Sequence, residues 1–171
     1  MSVQKHKEHA RRHLKVGVLT ASDTRTREND KSGALITEMF EAAGHHVEFY
    51  EIVRDDTETI AAAIMVNLSR LDAMVITGGT GVSPRDVTAD VVKKMLTTEL
   101  PGFGELFRML SYQEIGSAAL ASRAIAGMCN GKFLAALPGS TGGCRLAMEK
   151  LILPELGHLV DLANPNESSH H

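Results

Sequence analysis

The sequence DAMVITGGTGVSPRD, residues 72–86, passes from an apolar run into a polar loop. The run ends at Thr77, and glycines follow at positions 78, 79 and 81. An apolar, partly β-branched run bounded by glycines is typical of a buried strand that ends at the edge of a sheet. The stretch therefore predicts a strand that delivers a glycine-bearing loop to that edge.

Two runs upstream have the same character: KVGVLTA, Lys15–Ala21, and HVEFYEIV, His46–Val53. After each run, apolar residues recur at the three- and four-residue spacing of a helix. Capping residues at positions 29–32 begin one helix, which ends with Gly44 as its C-cap, and Asp55-Asp56-Thr57 begin another. Strands that alternate with helices predict a mostly parallel sheet that is covered on both faces. We therefore expect an α/β fold, a three-layer α/β/α sandwich.

The rest of the chain extends this organisation within one domain, residues 14–162. The patterns predict, in order, a helix over 88–96, a break at Pro101-Gly102, helical pieces over 103–121, a hairpin of 124–129 and 132–137 about Asn130-Gly131, and a final helix over 141–162, kinked or broken at Pro154. The polar ends predict a flexible basic arm over 1–13 and a flexible tail over 163–171, whose His170-His171 is typical of a purification-tag remnant.

Composition excludes several classes of protein. The 171 residues carry 18 Lys+Arg against 21 Asp+Glu, so the chain lacks the cationic surface that nucleic-acid binding requires, and without Trp it is poor in base-stacking side chains. No apolar run approaches the roughly 18 residues that span a bilayer. Cys129 and Cys144 either form one disulfide or are buried thiols, without CxxC spacing. We expect a cytoplasmic protein with no nucleic-acid or membrane partner.

Three polar loops follow predicted strands, at Ser22-Asp23, at residues 78–86 and at residues 138–143. The carboxyl ends of parallel strands meet at one edge of a sheet, where ligands bind. Glycines let backbone amides approach an anion, so the second and third loops are candidate phosphate cradles, although tight turns explain either loop equally well. The second loop has no Walker lysine, and Gly-Gly-Thr-Gly does not match the dinucleotide spacing GxGxxG.

Charged residues near these loops have two interpretations each. Asp55 and Asp86 lie at the same predicted edge, where carboxylates beside phosphates indicate a divalent metal. Either carboxylate could instead cap the helix that follows it. Arg85 either grips a phosphate through two N–H groups or is a solvated surface residue.

Three ordered blocks, TGGTGVSPRDVT at 77–88, LPGFGE at 100–105 and LPGS at 137–140, resemble signatures of the molybdenum-cofactor biosynthesis MoaB/MogA family. The resemblance covers nearly the whole chain, and the segments after Pro101 and around Pro154 are closer to the MoaB branch. It implies a MogA-like α/β domain that binds molybdopterin. In active members, the terminal phosphate of the pterin attacks the α-phosphorus of ATP with Mg²⁺ assistance, which gives adenylyl-molybdopterin and pyrophosphate.

The resemblance also implies roles for individual residues. Asp86 would hold Mg²⁺ against the ATP phosphates, and Asp55 (or, with a one-residue slip, Asp56) would support the metal or the pterin end. The remaining residues implied to bind substrate are the hydroxyls of Thr80, Ser111 and Ser122, together with the loop residues Ser22, Gly78, Gly79, Gly81, Arg85, Pro138, Gly139 and Ser140.

Two readings of the function stay open. Many adenylylating relatives carry Asn where this chain has Ala136, and Asn-Pro or Ser-Pro where it has Ser140-Thr141; the missing amide favours a non-catalytic molybdopterin-binding or scaffold protein. The intact glycine loop and Asp86 favour the adenylyltransferase. In both readings the resemblance implies a homotrimer, which sometimes pairs into a hexamer, and contact with other cofactor-biosynthesis proteins.

Overall fold

One six-stranded sheet runs through residues 13–166, the part of the chain that the computed structural model describes. Its strands are β1 Lys15–Ala21, β2 His46–Val53, β3 Ala73–Thr77, β4 Thr98–Glu99, β5 Ile125–Cys129 and β6 Lys132–Leu137. Their order across the sheet is β2-β1-β3-β6-β5-β4. Strands β2, β1, β3 and β6 are parallel to one another. At one side of the sheet β5 runs antiparallel to β6, and the short β4 runs antiparallel to β5. The predicted mostly parallel sheet is confirmed.

Helices cover both faces of this sheet. They are α1 Lys31–Ala42, α2 Thr57–Asn67, α3 Thr88–Met95, α4 Pro101–Ile115, α5 Thr141–Ala147 and α6 Leu153–Ala163. One buried apolar cluster joins the sheet to α1, α4, α5 and α6, and a second joins its other face to α2 and α3. The three-layer α/β/α architecture is therefore confirmed. Within residues 13–166, no helix is long and apolar enough to cross a bilayer.

Local sequence explains where several elements begin and end. Asp30 caps α1 and Asp56 caps α2, each accepting a hydrogen bond from a backbone N–H three residues ahead. Gly44, just beyond the C-cap of α1, has a φ of +88° that suits glycine. Asn130 and Gly131 have φ values of +49° and +81°, as a two-residue hairpin between β5 and β6 requires.

The structure corrects the prediction at Pro101 and places the predicted break of the final helix just before Pro154. Pro101 does not end a helix but begins α4, after the short strand β4 that the sequence did not predict. The final helix is interrupted by a π-helical turn at Met148–Ile152, and Pro154 follows it in the first turn of α6. Proline fits the first turn of a helix because its missing N–H would have no intrahelical partner there. Neither proline therefore breaks the helix that contains it.

The predicted ends of the domain fall close to the limits of the described residues. His13 contacts the body of the domain, with its Nδ1 2.8 Å from the carbonyl oxygen of Gly44. At the other end, α6 runs to Ala163, and the side-chain amide of Asn164 donates to the carbonyl of Gly131 at 2.8 Å. The arm and the tail over residues 1–12 and 167–171 lie outside the described residues and stay predictions.

We expect Gly131→Ala to lower the free energy of unfolding by about 1–2 kcal/mol, because an L side chain strains a backbone of positive φ. A Cβ at this position would also lie 2.6 Å from Oδ1 of Asn164. Gly102→Ala is the matched control, since a Cβ there meets no atom within 4 Å. Urea unfolding followed by circular dichroism measures both variants, and an equal loss in the two would contradict the steric explanation.

Candidate functional site

Three loops meet at the carboxyl edge of the parallel strands. Ser22 follows β1, Gly78 follows β3 and Pro138 follows β6, and these three strands are neighbours in the order β1-β3-β6. β2 and β3, the next two strands along the chain, lie on opposite sides of β1, so the strand order reverses at β1. Such a reversal opens a crevice for ligands in parallel sheets.

The glycine loop has a backbone that side chains would obstruct. Gly78 and Gly79 have φ values of +98° and +72°. A Cβ on Gly78 would lie 2.5 Å from the carbonyl oxygen of Ala21, and a Cβ on Gly79 would lie 2.3 Å from Oγ1 of Thr88. Glycine at both positions lets the backbone turn sharply against β1 and α3.

A cavity of about 570 Å³ opens between the second and third loops. Cavities of this size bind substrates and cofactors in many enzymes. Its wall contains most of the residues predicted to bind substrate, namely Gly78, Gly79, Thr80, Gly81, Asp86, Ser111, Ser122, Pro138, Gly139 and Ser140. The structure therefore brings together residues from four separate segments of the sequence. Ser22, Asp55 and Arg85 are not part of this wall.

One face of α4 supplies the wall opposite the glycines. Phe107, Ser111, Glu114 and Ile115 line the cavity, and their spacing of four, seven and eight residues from Phe107 places them on one side of the helix. Phe107 and Ser111 are buried, while Ile115 is exposed. Sequence reasoning found only Ser111 among these. Helical periodicity on either side of that serine is the signal that points to the others.

Asp23 joins the first loop to two others. Its Oδ1 accepts a hydrogen bond from the backbone N–H of Asp55 at 3.0 Å, and its Oδ2 forms an ion pair with Arg85 at 2.6 Å. Arg85 is thus held by a carboxylate at the edge of the site. The hydroxyl of Ser22 accepts hydrogen bonds from the backbone N–H groups of Thr24 and Arg25, so it shapes the same loop.

The two neighbouring aspartates after β2, Asp55 and Asp56, have different environments in the structure. Asp56 is the helix cap: its Oδ1 accepts from the backbone N–H of Thr59 at 2.8 Å, which lowers the pKa of Asp56. Asp55 has a buried Oδ1 with no hydrogen-bond partner among the described residues. Burial, and then the negative charges of Asp23 and Asp86, raise the pKa of Asp55. An unsatisfied oxygen among carboxylates is suited to a cation.

Asp86 does not cap the helix that follows it. The N-cap of α3 is Val87, which makes no side-chain cap, and Oδ2 of Asp86 instead accepts from the backbone N–H of Ser83 at 3.0 Å. Asp86 also lines the cavity. Its carboxylate is therefore presented to a ligand by a tight turn.

The carboxylates fit Mg²⁺ only in company with a phosphate ligand. Within residues 13–166, no three His, Cys, Asp or Glu side chains are grouped so that they could bind a metal ion together. Mg²⁺ is commonly bound by one or two carboxylates together with substrate phosphates and water. Asp86 at the cavity, and Asp55 with an Oδ1 that has no hydrogen-bond partner among the described residues, supply the one or two carboxylates that such a site needs.

Arg123 supports the glycine loop from its outer side and was missed by the sequence analysis. Its Nε donates to the carbonyl of Gly81 and a terminal nitrogen donates to the carbonyl of Asp86, both at 2.7 Å. The other terminal nitrogen pairs with Asp90 at 3.0 Å. The guanidinium therefore fixes the two ends of the segment that carries Asp86.

The third loop is held by buried side chains beneath it. The carbonyl of Pro138 accepts from the hydroxyl of Thr77 at 2.7 Å and from the thiol of Cys144 at 3.1 Å. The hydroxyl of Ser32 donates to the carbonyl of Gly139 at 2.7 Å, and Ser140 caps α5. Cys144 is fully buried and unbridged, and burial raises the pKa of its thiol to about 11.

Ala136, the departure from the family pattern noted above, lies outside the cavity wall. Its side chain is fully buried in the apolar cluster beneath α2 and α3, with Leu19 and Ile76. Its methyl group therefore belongs to the core of the domain.

A larger cavity, about 820 Å³, opens on the outer side of the 3₁₀ segment Gly116–Ala121. It shares Ala119 and Ser122 with the first cavity. None of the three strand-end loops lines it, and its Arg123 is engaged by Asp90 and by backbone carbonyls. The smaller cavity is the one that combines glycines, hydroxyls and a carboxylate at the sheet edge.

Comparison with known proteins agrees with this arrangement. Residues 17–158 match the family described as "Probable molybdopterin binding domain". Molybdenum cofactor biosynthesis protein B of Bacillus anthracis is 51% identical over 162 residues, which is 93% of this chain and 96% of that protein. The corresponding protein of Bacillus subtilis (strain 168) is 48% identical over 163 residues, 94% of this chain and 96% of that protein.

Solved structures give the same answer for the fold. A crystal structure of molybdenum cofactor biosynthesis protein B has a TM-score of 0.86 and 49% identity, covering 90% of this chain and 97% of that one. The tungsten cofactor synthesizing protein MoaB from Pyrococcus furiosus has a TM-score of 0.83 and 37% identity, covering 90% and 99%. The chain therefore belongs to the molybdopterin-binding MoaB/MogA family of molybdenum cofactor biosynthesis proteins.

Proposed function

We propose that this protein is a Mg²⁺-dependent molybdopterin adenylyltransferase, which converts ATP and molybdopterin to adenylyl-molybdopterin and pyrophosphate. The observation that carries the proposal is the single cavity that gathers the glycine loop, the third loop and Asp86. Family membership supports a role in molybdenum cofactor biosynthesis, and the geometry of the loops supports phosphate chemistry within that role.

The residues in the cavity suit two phosphorylated substrates. Backbone amides of the loop at Gly78 and Gly79 can approach phosphate oxygens closely, because no Cβ intervenes. The hydroxyls of Thr80, Ser111 and Ser122 offer both donors and acceptors to a pterin or a phosphate. The wall formed by Phe107 and Ile115 is apolar and suits the flat face of a ring.

The reaction needs positioning and charge neutralisation more than a protein nucleophile. An oxygen of the pterin phosphate forms a bond to the α-phosphorus of ATP, and the bond from that phosphorus to the β-phosphate oxygen breaks, releasing pyrophosphate. Bound Mg²⁺ supplies charge neutralisation on the phosphates. Asp86 and Asp55 are the residues that would hold it, and Asp23 keeps the Asp55 segment and Arg85 in place beside them.

We also propose that the protein acts as a homo-oligomer, a trimer or a pair of trimers. Large apolar side chains are exposed along α4 and the 3₁₀ segment after it: Leu106, Met109, Tyr112, Ile115 and Leu120, the last 90% exposed. Exposed apolar patches of this kind mark interfaces between subunits. Because Ile115 also lines the cavity, assembly would enclose one side of the site.

The direct test supplies molybdopterin, ATP and Mg²⁺ to the purified protein and follows adenylyl-molybdopterin by mass spectrometry. We expect Asp86→Asn to lower the rate at least about 100-fold, since it removes the carboxylate that would hold Mg²⁺ against the phosphates, whose charge must be neutralised in the transition state. Glu41→Gln, an exposed carboxylate at the far end of α1, is the control and should leave the rate unchanged. Wild-type protein that binds molybdopterin without forming product would establish the binding or scaffold function instead.

Asp55→Asn should stabilise the metal-free protein at pH 7.5 by at most about 0.5–1 kcal/mol, because it removes a partly buried charge beside other carboxylates, whose Oδ1 has no hydrogen-bond partner among the described residues. Because folding raises the pKa of Asp55, the ionised carboxylate costs the folded state its full penalty above the folded pKa, and this penalty declines as the pH falls toward the pKa of the unfolded chain. The gain should therefore shrink as the pH falls toward 4 and wild-type Asp55 takes up a proton.

The same variant should lose the rise in melting temperature that Mg²⁺ with ATP gives the wild type. Asp56→Asn is the matched control, since Asn caps a helix about as well as Asp, and it should retain both the stability and the Mg²⁺ response. Differential scanning calorimetry with and without Mg²⁺–ATP measures both variants. Equal behaviour of the two would show that Asp55 is not a metal ligand.

A further inference from the structure

The 570 Å³ cavity at the glycine loop, called the main cavity below, lacks the positive charge that a polyphosphate needs. The ionisable side chains in its wall are Asp86 and Glu114, both carboxylates. A nucleotide triphosphate carries several negative charges, which Mg²⁺ neutralises only in part. Cationic side chains must therefore come from a neighbouring part of the surface if such a ligand binds with its phosphates at the third loop.

A third cavity, of about 280 Å³, lies against the third loop. It shares Gly139 and Ser140 with the main cavity, so the two open on either side of the same two residues. At roughly 30 Å³ per water molecule, its volume is ample for one or two phosphoryl groups. Its wall contains two cations, Arg25 and Lys31, and the hydroxyl-bearing Thr141.

These two cations are not used elsewhere in the described structure. Within residues 13–166, neither the Arg25 nor the Lys31 side chain has an ion pair or a hydrogen bond. Other arginines near the sheet edge are engaged: Arg85 pairs with Asp23, and Arg123 pairs with Asp90. Arg25 and Lys31 thus bring two uncommitted positive charges to the wall of this small cavity.

The backbone that carries these cations is well held. Arg25 belongs to the turn in which the hydroxyl of Ser22 accepts hydrogen bonds from the backbone N–H groups of Thr24 and of Arg25 itself. Lys31 is the first residue of α1, directly after the buried cap Asp30. The Asp30 carboxylate also lines the cavity, but its oxygens accept from the hydroxyls of Thr20 and Tyr50 and from the N–H of Gly33. These donors disperse its negative charge, so an anion can approach the two cations.

We propose that the cavity formed by Arg25, Lys31, Ser32, Thr141 and the Gly139–Ser140 ridge is a phosphoryl-binding subsite, distinct from the glycine-loop cavity beside it. The assignment to a substrate rests on the proposed function. The phosphoryl group comes either from the β- and γ-phosphates of the nucleotide, which leave as pyrophosphate, or from the terminal phosphate of the pterin. The chemistry that recognises it is the same in both cases.

The test measures binding by isothermal titration calorimetry without Mg²⁺, using pyrophosphate, ATP, AMP and molybdopterin as separate probes. The variants are Arg25→Gln, Lys31→Gln and the double variant. Lys94→Gln, an exposed cation on α3, is the matched control. Removal of one charge-assisted contact should weaken phosphate binding about tenfold, and the double variant should weaken it more. Circular dichroism melts confirm that each variant is folded.

Loss of affinity for pyrophosphate and ATP, with AMP affinity unchanged, would support the subsite and assign it to the leaving phosphates. Loss of affinity for molybdopterin, with ATP unchanged, would support it and assign it to the pterin phosphate. The proposal is overturned if all four probes bind the double variant as they bind the wild type, if Lys94→Gln weakens binding equally, or if the wild type binds none of them. Because these measurements need no turnover, they are independent of whether the protein forms adenylyl-molybdopterin.

Discussion

The central strands of the sheet are buried on both faces, and this constraint determines where chemistry can occur. Every residue of β3 is buried, as are all but the first residues of β1 and β6. Polar side chains and backbone groups that must meet a ligand can therefore be placed only where the strands end. The glycine loop, the third loop and the Asp23 turn all lie at that edge. The first two are anchored to buried strands, since the N–H of Gly78 donates to the carbonyl of Leu137 and the hydroxyl of Thr77 donates to the carbonyl of Pro138.

Residue patterns with a single physical meaning predicted the fold well. The β-branched runs of β1 and β2 were placed at the correct residues, and Asn130-Gly131 identified the hairpin because few other residues adopt two successive positive φ values. Pro101 was misread, and the break predicted at Pro154 lies just before it, because proline interrupts a helix in its interior and begins one in its first turn. Only the surrounding packing decides between these two cases. The π-helical turn before Pro154 has no local sequence signal of its own.

The sequence predicted the loops of the candidate site but not the side chains that hold those loops in place. Glycine-rich loops and carboxylates after strands are visible in the sequence, because both depend on nearby residues. Arg123 and Asp23 act on segments that lie far away in the chain, so their role appears only when the fold brings those segments together. Asp55 and Asp56 illustrate the same limit. The sequence offers two adjacent carboxylates, and only the hydrogen bond from Thr59 shows which one is the helix cap.

The thiol beneath the third loop has a consequence beyond its hydrogen bond. Cys144 is fully buried, and its thiol, with a pKa near 11, is almost entirely protonated at neutral pH. Alkylating reagents attack the thiolate, so the sulfur can react only during moments when the loop lifts from the core. The rate at which Cys144 is labelled therefore reports how often the floor of the site opens. The labelling rate of this native thiol therefore measures the motion of the loop whose Gly139 and Ser140 line both the 570 Å³ and the 280 Å³ cavities.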